Sequence, residues 1–394
     1  MKIKRQLFRL NIFGFFACLR IPDAVWVVLL TARGYSLWQI GIAEGVYHVV
    51  SLLCEIPSGM AADLIGRRRS LMAAGACGVV SALLMAYSGS FMGICLSMAF
   101  SALACSFISG SDEALLYDSL LQAGEETRYL SASAQYSRFQ NVGGMLSNAA
   151  SLLSGVLSYV GFYLVDALVC LVRVVTAGSV AEPVVTNRQA QRQRHPFRAI
   201  GQRFRAHVGE VVDFLRAYPR AALVMLADGL IALPGYLTLM FLQQRLSELG
   251  VRTMWLGLPV MAISFSRLMG TFAGERLMVR GLRRLYALCA LLVGTGTICA
   301  GGASILPAVL GAMMAAGSMD AWGLHQQRYL NNLFPSDQRA TLVSVNMMTY
   351  SLMMVAASPF VGWLGDICGG AGAGLCALGV VVSAAGVIAL SKRV

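Results

Sequence analysis

Residues 55–70 read Glu55-Ile-Pro-Ser-Gly59-Met-Ala-Ala-Asp63-Leu-Ile-Gly66-Arg67-Arg68-Arg69-Ser70. One long apolar run precedes this stretch and another follows it. Gly59 and Gly66 permit close helix approach and a tight turn. Asp63 falls where a helix leaves the apolar region, and Arg67, Arg68 and Arg69 make the turn strongly cationic. In a membrane protein such a turn belongs on the cytoplasmic side, where Lys and Arg accumulate.

Composition agrees with a membrane setting. The chain has 394 residues, 57% hydrophobic and 13% charged, against roughly 25% charged in a soluble domain. A spanning helix needs ~20 apolar residues, and apolar segments fall at 8–32, 38–62, 70–88, 91–117, 132–157, 158–181, 220–246, 254–274, 281–301, 304–330, 338–364 and 370–391. The expected fold is all-α, with 12 transmembrane helices. The net charge of +12 would suit nucleic acid, but the basic residues cluster in alternate loops, which is the positive-inside pattern. Lys2, Lys4, Arg5 and Arg9 lead into the first segment, Arg128 lies between the fourth and fifth, and Lys392 and Arg393 end the chain. Both termini are therefore expected in the cytoplasm. Met1–Arg5 resembles a signal n-region, but no small-residue cleavage site follows, so the first segment reads as a retained helix. The 10 cysteines are scattered through apolar segments without a Cys-x-x-Cys, so neither a disulfide framework nor a metal site is expected.

The stretch with which we began resembles the signature loop of the major facilitator superfamily, Gly-x-x-x-Asp-x-x-Gly-Arg-Arg/Lys, with Gly59, Asp63, Gly66, Arg67 and Arg68 filling the pattern. Its place between the second and third segments matches too. An internal repeat strengthens the resemblance: Gly59, Gly66, Arg68 and Arg69 recur as Gly274, Gly281, Arg283 and Arg284, with Met278 at the Asp63 position. Arg128, Ser133 and Gln135 recur as Arg339, Ser344 and Asn346. The resemblance implies two pseudo-symmetric six-helix bundles, 1–181 and 220–394, that rock in alternating access. It also implies that Asp63 and Arg67 tie helices together at the cytoplasmic gate. The stretch 182–219 reads as a cytoplasmic linker. Within it Phe197, Ile200, Phe204, Val208, Val211 and Leu215 give an amphipathic helix suited to the inner leaflet.

Ionisable groups inside a membrane need a partner, water or a function. Arg20 and Asp23 share the first segment, three apart, and are expected to pair. Glu44, His48, Ser51 and Glu55 make a polar stripe along the second segment. An imidazole titrates near physiological pH, so Glu44 and His48 are candidates for a proton path. At the end of the fourth segment Asp112 and Glu113 are adjacent and point about 100° apart. One can face the cavity while the other meets Arg138 of the fifth segment. Asp166 and Arg173 on the sixth segment read as structural. In the second half Arg267 and Asp320 lie at comparable depth and are expected to pair. Asp228, His325 and the aromatic residues Tyr236 and Trp322 are candidates for the cavity wall, where aromatic rings suit apolar or cationic ligands.

No Gly-x-x-x-x-Gly-Lys-Ser/Thr is present to cradle phosphate, and no Gly-x-Ser-x-Gly elbow for a nucleophile. An enzyme is not expected, and no cofactor. The expectation is a secondary transporter that exports a hydrophobic or cationic small molecule in exchange for protons. The drug-antiporter pattern is incomplete, because the fourth segment carries acids instead of an arginine and Gly143–Gly155 lacks a proline. Uptake of a small metabolite is the alternative, and a transporter-like receptor or accessory protein is a third. A monomer in a bacterial inner membrane, with substrate, protons and the bilayer as its partners, completes the expectation.

Overall fold

The computed structural model describes residues 3–183, 209, 216–276, 281–333 and 339–391. The chain is helical throughout these residues: α1 (Ile3–Cys18), α2 (Trp26–Thr31), α3 (Leu37–Ile65), α4 (Arg67–Tyr87), α5 (Phe91–Ile108), α6 (Ser111–Ala123), α7 (Tyr129–Ala149), α8 (Tyr159–Ser179), α9 (Pro219–Glu248), α10 (Gly257–Arg276), α11 (Leu282–Ala300), α12 (Ile305–Leu333), α13 (Arg339–Ile367) and α14 (Ala371–Ser391). Ten spans among the described residues are long and apolar enough to cross a membrane. The first and fifth expected segments are the two that fall short. The amphipathic stretch expected over 197–215 lies outside the described residues.

Two expected segments are broken. The first ends as α1 at Cys18 and resumes as α2 at Trp26. Pro22 has no amide hydrogen and disfavours helix in the residue before it. Arg20 and Asp23, expected on one helix face, therefore lie in the turn between two helices, in contact at 3.7 Å. A break at membrane depth needs partners for the backbone groups it frees. Here Arg20 N–H donates to Ser147 Oγ at 3.0 Å and Ile21 N–H donates to Asp166 at 2.9 Å. The Arg173 guanidinium donates twice to the Phe16 carbonyl, at 3.2 and 2.9 Å. The fourth segment breaks at Gly110, whose φ of 70° is left-handed. A new helix, α6, starts at Ser111 and carries Asp112 and Glu113 in its first turn, where the helix dipole favours negative charge.

The chain forms two compact units. One is Met1–Asp23 with Val49–Glu210, and the other is Ala24–His48 with Val211–Val394. Each is held by close helix pairs, and the pairs repeat. In the first unit α4 packs on α8 and α5, and α1 on α7 and α8; in the second, α11 packs on α14 and α12, and α9 on α13 and α14. Small residues allow the approach, as membrane helix pairs require. Gly294 of α11 lies against the Gly379 backbone of α14, and Gly270 of α10 against Gly317 of α12. Outward-facing side chains are apolar, among them Leu168, Val175, Leu223, Val380 and Ile388. A soluble protein would keep such a continuous apolar coat small; a bilayer covers it.

Candidate functional site

The signature loop positions α4. Gly66 precedes that helix with φ 100° and ψ 143°, and its repeat partner Gly281 precedes α11 with φ 96° and ψ 127°. The sequence repeat is thus a repeat of backbone conformation that only glycine adopts without strain. The Glu182 carboxylate accepts from Arg67 N–H at 2.8 Å and from Arg68 N–H at 2.7 Å, which satisfies two orphan donors at the α4 N-terminus. The Arg67 side chain reaches α6, with Nη1 at 2.6 Å from Asp118 Oδ2. The Asp63 side chain lies outside the described residues. Glu182 had no signal in the sequence, since it stands 115 residues from Arg67.

Asp112 is 6% exposed. Its Oδ2 accepts from Tyr136 Oη at 2.7 Å and its Oδ1 from Glu113 N–H at 2.9 Å. Tyr136 is itself buried, packed over Gly14 and beside Leu10, Phe13 and Leu116. The expected contact with Arg138 is absent: among the described residues Arg138 pairs with neither acid, and both it and Glu113 are exposed. The reason is helical geometry. Arg138 follows Tyr136 by two residues, about 200° around α7, so the two cannot serve the same acid.

In the second unit Asp228 accepts from the Trp322 indole N–H at 3.0 Å and from the Asn346 amide at 3.1 Å. Gln326 donates onward to Asn346 at 3.4 Å. Trp322 is 1% exposed and packs on Tyr286 and Ile231, so it is core rather than an open wall. Tyr236 keeps an exposed face. The pair expected from depth is formed: Arg267 holds Asp320 with two bonds, at 3.0 and 3.3 Å. His325 Nε2 meets the Gly274 carbonyl at 2.8 Å, which ties it to the end of α10. Asn346, Gln326 and Tyr136 were not read as site residues. Only the repeat, which aligns Asn346 with Gln135, pointed toward one of them.

The stripe along α3 is divided between the units. Ser51 and Glu55 belong to the first, Glu44 and His48 to the second. Glu44 Oε1 and His48 Nε2 are 3.3 Å apart, and the two residues are 1% and 6% exposed. The His48 ring meets Tyr47, Tyr236 and Tyr350 edge-on, with centroids at 5.3, 6.3 and 5.6 Å. This part of α3 is fixed to α13. Asp366 accepts from Leu37 N–H at 2.9 Å and Trp38 N–H at 2.8 Å, Ser358 donates to the Gly41 carbonyl at 2.9 Å, and Gly41 and Gly362 bring the backbones together.

Each unit therefore holds a buried or half-buried carboxylate whose hydrogen-bond partners are neutral donors, Asp112 in the first and Asp228 in the second. A family model described as Major Facilitator Superfamily matches residues 10–356. The MFS-type transporter YxaM of Bacillus subtilis (strain 168), itself uncharacterized, is 30% identical over 109 residues, a match spanning 26% of this chain and 27% of that one. The nucleoside transporter NupG has a similar structure over 100% of both chains, with a TM-score of 0.78 at 14% identity. A D-xylose–proton symporter is similar over 98% of both, with a TM-score of 0.72 at 11% identity.

Proposed function

This chain belongs to the Major Facilitator Superfamily, and from that premise we propose that it is a proton-coupled exporter of a hydrophobic or cationic small molecule. It is a multi-pass secondary transporter and not an enzyme. In our reading 1–181 and 220–394 are its working halves, joined by 182–219, and both ends of the chain face the cytoplasm of a bacterial cell. The observation that carries the coupling is Asp112. It is buried, it opens a helix, and its side-chain partner is the hydroxyl of Tyr136. A carboxylate in such a place is expensive to keep charged without a cation. A proton or a cationic substrate meets that need, and exchange of one for the other is antiport. Asp228, held by Trp322 and Asn346, repeats the theme in the second unit.

The test is dye retention in cells stripped of their main efflux pumps. Wild type is expected to lower retention of a lipophilic cationic dye only while a proton gradient stands, and Asp112→Asn to match empty vector. Retention that matches empty vector for wild type as well removes the export reading. Uptake of a small metabolite then takes its place, to be followed in proteoliposomes. Absence of any flux there would leave a receptor or accessory role.

A further inference from the structure

We propose that Arg138 is a specificity-determining residue: on a wetted face of α7, with Gln135 and Asn141 beside it, it receives a carboxylate or phosphate group of the transported molecule. This rests on the transporter reading above and narrows its substrate to a molecule that carries such a group beside its apolar or cationic part.

The two sides of α7 are unlike. Ala132, Tyr136, Gly143 and Ser147 are buried. Tyr136 lies over Gly14, Gly143 against the Phe15 carbonyl, and Ser147 Oγ accepts from Arg20 N–H, so this side is seated on α1. Gln135, Arg138 and Asn141 follow one another at a spacing of three, neighbours on the helix surface, and all are exposed. The lipid-facing sides of other helices are apolar by contrast, with Leu168 and Val175 exposed on α8 and Val380 and Ile388 on α14. This polar side is why α7 is not among the spans apolar enough to cross a membrane. Arg138 stands near the middle of the 21 residues of α7. A guanidinium does not shed its proton, and at that depth it is not left in hydrocarbon. Water therefore wets this side of the helix.

The chain supplies no counter-charge. Among the described residues three acids of α6 and the turn after it are engaged elsewhere: Asp112 with Tyr136, Asp118 with Arg67 and Glu125 with Arg128. Glu113 is exposed and does not pair with Arg138. Nor does the fold need an arginine here. The repeat puts Thr349 of α13 at this position, and the Thr349 hydroxyl donates to the Val345 carbonyl of its own helix at 2.9 Å. The second unit thus builds the equivalent helix without a charge. What Arg138 adds is a fixed positive charge on a planar fork of donors, which matches two oxygens of a carboxylate or phosphate. The amides of Gln135 and Asn141, one turn to either side, add neutral donors and no competing charge. Asp112 lies behind the opposite side of α7, against Tyr136, so the anionic group and the coupling proton have separate seats.

The experiment is protection from thiol labelling in the purified full chain in detergent. Ala134 is exposed one turn before Arg138, and Ala134→Cys places a reporter thiol there. Its labelling by a neutral maleimide is read by peptide mass spectrometry at constant ionic strength, with exposed Cys368 as the internal reference. Benzoate and phenyl phosphate are the anionic probes, and benzylamine is the cationic one of similar shape. At least one anion is expected to slow labelling at 134 and not at 368, and benzylamine to leave both unchanged. The stronger of the two anions identifies the group. In Arg138→Gln the anion concentration for half protection is expected to rise about tenfold or more, the loss of a charge-assisted contact, and in Arg138→Lys by less. Any one of four results overturns the proposal: no labelling at 134, no protection by either anion, equal protection by benzylamine, or unchanged half-protection in Arg138→Gln. The assay needs no transport. Failure of dye export with protection intact removes the exporter reading and leaves this site, and the opposite pattern removes the site alone.

Discussion

Asp112 and Tyr136 set the energetics at the scale of single residues. Removing the tyrosine hydroxyl leaves one carboxylate oxygen buried without its side-chain donor, which costs roughly 1–3 kcal/mol. Tyr136→Phe is therefore expected to lower the unfolding temperature in detergent, while Arg138→Ala, on the exposed side of α7, shifts stability by less than about 0.5 kcal/mol. Equal losses in the two variants, measured by thermal scanning, would remove Tyr136 as the partner of Asp112. Asp112 was legible in the sequence because an acid in an apolar segment announces itself. Tyr136 was not, since tyrosine is ordinary in membrane helices and nothing in one chain records which helices touch. Arg267 and Asp320 were readable for the opposite reason: two opposite charges at one depth have few ways to be satisfied except by each other.

At the scale of elements, the structure is governed by what happens to backbone donors and acceptors at helix ends. The α4 N-terminus is capped by Glu182 across the unit, and a capping group of this kind contributes about 0.5–2 kcal/mol. Glu182→Ala is expected to destabilise by that amount, and Glu182→Gln, which keeps one of the two acceptor oxygens and loses the charge, by less. Chemical denaturation of the two variants checks the order; an alanine variant as stable as wild type contradicts the cap. Ten spans could be placed from apolar length alone. The breaks at Pro22 and Gly110 could not, although both residues are plain in the sequence. Membrane helices tolerate proline and glycine whenever neighbours re-satisfy the freed groups. Pro57, Pro234 and Pro359 lie inside helices of this same chain. What distinguishes Pro22 is the supply of partners, Ser147, Asp166 and Arg173, and these come from elsewhere in the fold.

For the whole molecule, the basic loops predict topology. Green fluorescent protein fused after Val394 is expected to fluoresce and alkaline phosphatase fused there to stay inactive; the reverse result would invert our orientation. The repeat was visible in the glycines and arginines around 59–69 and 274–284, and it reappears in the matching helix pairs of the two units. The exchange of residues 24–48 was not visible. Length and hydropathy say that a helix spans, and are silent about which bundle each of its ends joins.

That exchange has a consequence for biosynthesis. Residues 24–48 leave the ribosome early, while α9 and α13, against which they finally pack, are made long afterwards. Until then this segment, with Glu44 and His48 on it, waits in the bilayer as an unfinished piece of a domain whose remainder does not yet exist. The second unit is thus not encoded by a continuous gene segment. Cutting the chain in the 182–219 stretch would give two fragments neither of which contains it whole.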